Sequence, residues 1–195
     1  LHIRLVRKLV FAWLFPYQER MRKATALLGW YQRSGLRMFV RKTGLLRLLP
    51  ASFRQMERVL PDVPTAKEMK NRPHRLSLDG SAKKRVAFFA GCLMDTMFMA
   101  TNDATMRLLQ LAGCEVIIPP SQGCCGALHG HGGEKEMAKE LAKRNIIAFE
   151  QLDVDYIVTN AGGCGAFLLE YDHLLKDDPE WRERAATFAA KIKDI

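Results

Sequence analysis

The sequence lacks both a long apolar run and a dense, even set of cysteines. The longest wholly apolar stretch in the first sixty residues is Leu9–Phe15, only seven residues, whereas a helix that spans a bilayer needs about 20. No small-residue cleavage pattern follows this stretch, which argues against a secretory signal. Five cysteines in 195 residues are also unlike the framework of a secreted disulfide domain. We therefore expect a protein of the reducing cytoplasm, where cysteines more often serve metal binding or redox chemistry.

Acidic residues are nearly absent from the first sixty positions. That segment holds 13 Lys and Arg against only Glu19 and Glu57, whereas residues 61–195 hold 17 basic and 19 acidic residues. The positive charge therefore belongs to the N-terminal third, and it predicts either a protein contact or an amphipathic surface on anionic lipid. No recognised nucleic-acid-binding motif accompanies the charge, so we expect no nucleic-acid partner.

The pattern of apolar residues divides the chain into three parts. Residues 1–60 carry an apolar stripe at spacings of three and four, which predicts a basic helical connector segment. The stripe consists of Tyr17, Met21, Ala24, Leu28 and Tyr31. Residues 61–84, with three prolines and mixed charge, are typical of a linker. From residue 85 to residue 195 apolar runs alternate with helical patterns, which predicts an α/β domain.

The α/β part alternates predicted strands with predicted helices. A continuous apolar run is expected for a parallel strand that is covered on both faces. Such runs predict strands at Val86–Ala90, Val116–Ile118 and Tyr156–Thr159. Helices are predicted at about Thr96–Ala112, Glu134–Leu152, Cys164–Leu175 and Pro179–Lys193, the last with Asp178 as its cap. This order predicts βαβ units, a parallel sheet and right-handed crossovers.

Four of the five cysteines directly follow the predicted strands. Cys92 follows the first strand, Cys124 and Cys125 follow the second, and Cys164 follows the third. Because sites in open α/β sheets form beyond the carboxyl ends of the strands, we expect these four thiols to meet at one edge. Cys114 opens the second strand instead, about 15 Å from that edge at about 3.3 Å per residue. We expect Cys114 to be a small buried hydrophobic residue.

Four converging thiols suit zinc or an iron-sulfur cluster, because both prefer soft ligands. A zinc site usually draws its ligands from short C-x-x-C pairs, whereas the close pair here, Cys124 and Cys125, is adjacent in sequence. Adjacent Cα atoms lie about 3.8 Å apart, below the usual range for a disulfide, so a stable bridge between them would be strained. The pattern favours a cluster over zinc and leaves a thiol redox pair as a third possibility.

Glycines and histidines surround the four thiols. Gly91 precedes Cys92, while Gly123 and Gly126 enclose the adjacent pair. These glycines would let the backbone approach a bulky inorganic core and direct amide groups at its sulfurs, although a strand-to-helix turn alone would also use one or two of them. His129 and His131 follow, either as ligands or proton relays or as exposed loop residues.

The cysteine spacing resembles that of a known family. Cys92 is followed after 31 residues by Cys124-Cys125-Gly126, and after a further 34 residues by Ala161-Gly-Gly-Cys164. This pattern resembles the cysteine-rich CCG domain of heterodisulfide reductase B subunits and of iron-sulfur subunits of glycolate- and lactate-oxidising complexes. The basic segment with Leu45–Pro50 resembles the connector that precedes this domain in the glycolate oxidase iron-sulfur subunit.

The resemblance also shows where this chain departs from the family. The fullest family pattern ends in C-x-x-C, but Ala161 occupies the first of those positions, so we expect a four-thiolate [4Fe-4S] site rather than a five-cysteine noncubane cluster. Relatives in the glycolate branch carry a ferredoxin-like region and a second CCG domain, and neither is present in these 195 residues. Together with a start at Leu1 rather than Met, this suggests a fragment from the middle of such a subunit.

The resemblance implies a function in electron transfer. The chain would be a non-catalytic subunit that takes electrons from a flavoprotein oxidising glycolate or a similar 2-hydroxy acid and passes them towards a quinone or another carrier. Cys92, Cys124, Cys125 and Cys164 would hold the cluster. The basic segment would dock against a ferredoxin-like region or the flavoprotein, or rest on the inner face of the membrane. The alternatives are a zinc-stabilised interaction module and a thiol-disulfide oxidoreductase like heterodisulfide reductase.

Overall fold

The computed structural model describes residues 8–78 and 80–195. The first seven residues of the predicted basic segment lie outside this range. The rest of that segment is helical, as predicted: a short π-helix, Lys8–Leu14, is followed by helix α1, Gln18–Arg33. It continues with α2 (Leu36–Lys42), a 3₁₀ turn (Leu45–Leu48) and α3 (Ala51–Val59). In the described part of the chain, no helix is long and apolar enough to cross a membrane.

Residues 61–84, indicated as a linker by their prolines, contain regular structure. Helix α4, Ala66–Lys70, begins with a capping box in which Glu68 N donates to Thr65 Oγ1 (3.1 Å) and Glu68 accepts from Thr65 N. Strand β1, Arg75–Leu76, follows and pairs antiparallel with a strand of the α/β part. The division of the chain into three domains stays a prediction.

The core of the molecule is a mostly parallel five-stranded sheet, which confirms the predicted α/β fold. Its strand order is β1-β3-β2-β4-β5. The three central strands match the predicted ones within two residues at each end. They are β2 (Lys84–Phe88), β3 (Cys114–Ile117) and β4 (Tyr156–Thr159). Side chains alternate across β2, so that Val86 and Phe88 enter one apolar cluster and Ala87 enters the other.

The connecting helices differ from the sequence prediction at several places, including a short helix within the predicted loop after the second strand. Helix α5 (Leu93–Thr96) begins immediately after Cys92, and α6 (Met99–Leu111) begins three residues later than predicted. Helices α7 (Ala127–His131) and α8 (Lys135–Glu150) follow β3. The predicted helix at Cys164–Leu175 begins at Gly162 and is divided at Glu170 into α9 (Gly162–Leu169) and α10 (Tyr171–Leu174).

The end of the chain also differs from the prediction. Helix α11 spans only Arg182–Ala190, and Ile192–Asp194 forms β5, parallel to β4. The prediction of a helix through Lys193 was wrong because Ile192 is buried against the sheet. The assigned helix begins at Arg182 rather than at the predicted Pro179, but Asp178 caps the turn that leads into it, because its carboxylate accepts from the backbone amide of Glu180 (3.2 Å) and its carbonyl oxygen from that of Arg182 (2.9 Å).

Candidate metal centre

Three strand ends bring four thiols to one edge of the sheet. Cys92 follows β2, Cys124 and Cys125 follow β3, and Cys164 lies in the first turn of α9 after β4. Cys92, Cys124 and Cys125 are buried and Cys164 is partly buried. The Sγ atoms of Cys125 and Cys164 are 3.3 Å apart. Cys92 packs against Cys124 and Leu141.

Cys114 lies apart from this group. It opens β3 opposite Lys84, at the other end of the strand, and packs at the margin of the apolar cluster that contains Val86 and Met106. The side chain is partly buried rather than fully enclosed. Its surroundings are those of a small apolar residue.

Hydrogen bonds among the four thiols divide them into two classes. Hydrogen bonds from Cys124 and Cys164 lower the pKa of Cys125 to about 3. A hydrogen bond with Cys124 also lowers the pKa of Cys92. The pKa values of Cys124 and Cys164 are raised, because each thiol hydrogen-bonds to the Cys125 sulfur and is desolvated. The lowered pKa values favour the thiolate form of Cys92 and Cys125. Thiolates in a buried site favour binding of a cationic metal centre.

A buried amide and a phenol hold the loop that carries the adjacent pair. Asn145 of α8 donates to the carbonyl of Cys124 (2.9 Å) and accepts from the backbone amide of Gly123 (3.0 Å). The Tyr171 hydroxyl donates to the carbonyl of Cys125 (2.6 Å). Neither residue was among the predicted site residues. The signal was available for Asn145, which lies on the apolar stripe of its helix three residues after Ala142 and four after Leu141.

A second buried amide joins this loop to the end of β2. Gln122 accepts from the amide of Ala90 (2.7 Å) and donates to the carbonyl of Phe88 (3.0 Å). Asn102 donates to the carbonyl of Ala90 (2.9 Å). These bonds fix the chain immediately before Gly91 and Cys92. The backbone that carries the thiols is therefore already ordered, so binding of a metal centre would not require it to become ordered.

Two of the predicted glycines are required by the backbone. Gly126 has φ of +89°, and a Cβ there would lie 3.4 Å from the Ala138 carbonyl oxygen; its amide donates to Cys124 Sγ (3.4 Å). Gly91 has φ of +70°, and a Cβ would lie 3.8 Å from Cys164 Sγ. Gly123 is not in the left-handed region, and its amide bonds to Asn145 rather than to a sulfur.

The two histidines occupy different environments. His131 is exposed, and its ring lies in an edge-to-face arrangement with the Phe167 ring, with 5.8 Å between the ring centroids. His129 is fully buried, and its Nε2 lies 2.7 Å from the carbonyl oxygen of Phe11. Since a carbonyl only accepts, Nε2 of His129 carries the proton. Its Nδ1 is buried with no hydrogen-bond partner among the described residues.

The chemistry of the four thiols fits a thiolate-ligated inorganic group. The thiols are soft donors in a largely buried setting, and an adjacent amide already donates to one sulfur. Across residues 8–78 and 80–195, no group of three or more His, Cys, Asp or Glu side chains is arranged to hold a metal ion. The four sulfurs instead contact one another. A cavity of about 370 Å³ lies beside Cys124, between this loop and the start of α1.

Comparison with known proteins finds two family models along the chain. Residues 2–60 match the linker region of the glycolate oxidase iron-sulfur subunit, and residues 86–169 match the cysteine-rich domain. The second match contains all four converging thiols. No solved structure matches the chain.

Curated relatives extend the same comparison. The chain is 68% identical over 192 residues to the probable glycolate oxidase iron-sulfur subunit of Bacillus subtilis (strain 168), covering 98% of this chain and 43% of that protein. It is 46% identical over 110 residues to lactate utilization protein A of Exiguobacterium sp. (strain ATCC BAA-1283 / AT1b), covering 56% and 45%. The protein of that name from Geobacillus thermodenitrificans (strain NG80-2) is 40% identical over 111 residues, covering 57% and 46%. The chain spans less than half the length of these relatives.

Proposed function

Because residues 86–169 of this chain belong to the cysteine-rich domain family, we propose that the chain is the cluster-binding part of an electron-transfer subunit. The observation that carries this proposal is the meeting of four buried or partly buried thiols at three strand ends, where two of them have lowered pKa values. Such a set would bind a metal centre through a movement of the thiol side chains, while the backbone that carries them is already ordered. The name of the Bacillus subtilis relative supports an iron-sulfur group as the occupant.

Cys92, Cys124, Cys125 and Cys164 would be the ligands of a [4Fe-4S] cluster. When bound, such a cluster supplies one-electron transfer. Leu93, Met137 and Leu141 pack against Cys92 and Cys124 and would lie against the cluster, and the Gly126 amide already donates to Cys124 Sγ. Amide hydrogen bonds to sulfur raise the reduction potential of a cluster. Gly91 and Gly123 would let the backbone approach, and His129 would lie close behind the adjacent pair.

The partner that performs the hydride chemistry would be a flavoprotein. It would oxidise glycolate or a related 2-hydroxy acid, and this chain would pass the electrons towards a quinone or another carrier without catalysing a reaction itself. The N-terminal segment offers a surface for such contacts. Trp13, Trp30 and Leu48 are half or more exposed there among many basic residues. The same surface suits peripheral contact with anionic lipid on the cytoplasmic side of the membrane.

Anaerobic reconstitution tests the proposal. The protein is incubated with iron and sulfide, and bound iron, acid-labile sulfide and the EPR spectrum of the reduced protein are measured. We expect cluster uptake in the wild type and in Cys114→Ser, and its loss in Cys124→Ser. Zinc bound without sulfide would support the interaction module instead, and a folded wild type that takes up no iron would overturn the proposal.

A thiol-disulfide oxidoreductase is a second candidate function. The observation in its favour is the lowered pKa of Cys125, caused first by the hydrogen bond from Cys124, with the Cys164 sulfur only 3.3 Å away. A thiolate next to a second thiol can attack a disulfide and be resolved by its neighbour. In that case Cys125→Ser should abolish reduction of a disulfide substrate while the bound iron is retained.

A further inference from the structure

Asp95 is a buried carboxylate at which the N-terminal part of the chain meets the cysteine site. It lies in α5, three residues after Cys92, and its side chain is 5% exposed. Gln18 and Arg22 of α1 donate to its Oδ2 at 2.9 Å and 3.0 Å. Arg72, equally buried, donates to Oδ1. Three donors from residues 18–72 therefore converge on one acid beside a predicted ligand.

The same donors extend to either side of Cys92. Gln18 Nε2 also contacts the carbonyl oxygen of Gly91 (3.5 Å), immediately before the cysteine. Arg72 continues to Asp103 of α6 (3.0 Å), so this chain of bonds crosses both helices that follow Cys92. Arg72 Nη2 and Gln18 Oε1, which lack partners among the described residues, border a cavity of about 20 Å³, room for about one water molecule.

A second attachment lies at the other cysteine loop. In the π-helix, each amide donates to the carbonyl five residues earlier, as Phe15 N does to Val10 O (3.0 Å). The same pattern would pair the Phe11 carbonyl with the amide of residue 16. Residue 16 is Pro16, which has no N–H. His129 Nε2 donates to this carbonyl instead. The N-terminal segment is thus tied to the Cys92 loop through Asp95 and to the adjacent pair through His129.

We propose that Asp95 is a positioning residue of the cysteine site, through which the basic N-terminal segment holds the Cys92 loop in place. A buried carboxylate is stable only while its donors remain, and the donors are fixed only while the carboxylate is charged. Loss of either partner would release α5 and the Gly91 carbonyl from the N-terminal segment, while Gln122 and Asn102 would still hold the end of β2. The proposal rests on the proposed function when the measured quantity is cluster binding. It is independent of that function when the measured quantity is the reactivity of the Cys92 thiol.

The test compares Asp95→Asn with Glu57→Gln in the whole chain. Glu57 is a matched control, because it is also a buried acid that binds two arginines, Arg37 and Arg41, but all its partners lie in the N-terminal segment. In reconstituted protein we expect Asp95→Asn to bind iron about 10–100-fold more weakly than wild type in competition with a chelator, the size of loss usual for outer-shell changes, and to show an altered EPR line shape. Glu57→Gln should keep the wild-type rate and spectrum.

The second readout uses metal-free protein, so that it is independent of cluster binding. Cys92 is 6% exposed, so its alkylation requires local opening and should be about 10-fold or more faster in Asp95→Asn but unchanged in Glu57→Gln. Equal rates in both variants would overturn the role of Asp95, since they would show only a general loss of stability. If the wild type binds no iron but Cys92 is alkylated faster in Asp95→Asn than in Glu57→Gln, the proposed function fails and the role of Asp95 is upheld.

Discussion

Replacing Asn145 by alanine should loosen the loop of the adjacent cysteines more than Gly123→Ala or Gly126→Ala would. The side chain is 1% exposed and makes three hydrogen bonds, to Cys124 O, Gly123 N and the Tyr171 hydroxyl. Each such bond contributes about 1 kcal/mol net, so the variant should lose about 3 kcal/mol of unfolding free energy. In a chain of this length that corresponds to a fall in Tm of about 6–12 °C.

Thermal unfolding of metal-free protein, followed by circular dichroism, measures this loss. Asn71→Ala is the matched control, because Asn71 is exposed at the end of α4 and its replacement should change Tm little. The alkylation rate of Cys124 should rise in Asn145→Ala alone, since the Cys124 carbonyl loses its donor. A loss below about 1 kcal/mol, the size of one ordinary hydrogen bond, would refute the idea that this amide holds the loop.

Two further predictions concern neighbouring positions. Gly126→Ala should lower the unfolding free energy by about 1–2 kcal/mol, because φ of +89° is left-handed. Gly123→Ala should lower it far less, because a Cβ there would meet nothing within 4 Å. Equal losses in the two variants would contradict backbone strain at Gly126. The pKa of Cys125 is about 3 in the folded protein and about 8.5 in the unfolded chain. Between these two pH values the unfolded chain binds one proton more than the folded protein. The unfolding free energy of metal-free protein should therefore rise with pH across that window. Urea titrations at several pH values should show this slope in the wild type and a reduced one in Cys125→Ser; identical slopes would contradict it.

The parallel sheet and the convergence of the thiols could be predicted because both depend on local patterns. Val86–Ala90 is an unbroken apolar run, and a cysteine directly after such a strand must lie at the edge where parallel strands end. Strand β5 could not be predicted in this way. Ile192 to Asp194 is three residues long and continues a helical pattern, and only pairing with β4 makes it a strand.

The supports of the site depend on contacts between distant parts of the chain. Asp95 is one acid in a short helix, and nothing in its neighbourhood indicates that Gln18, Arg22 and Arg72 will meet it. His129 was placed near the site by its position after the adjacent cysteines, but its burial depends on Phe11, 118 residues away. Sequence patterns locate the thiols, whereas tertiary packing decides which side chains hold them.

The attachment of the N-terminal segment also sets an order of events during synthesis. Gln18 and Phe11, which contact the cysteine edge, are made before their partners Asp95 and His129, which are 77 and 118 residues further along the chain. Closure must therefore wait until the α/β part has been made and folded, since long-range contacts form after local ones. Until then the cysteine edge stays accessible, so the four thiols can be reached before the N-terminal segment takes its final place.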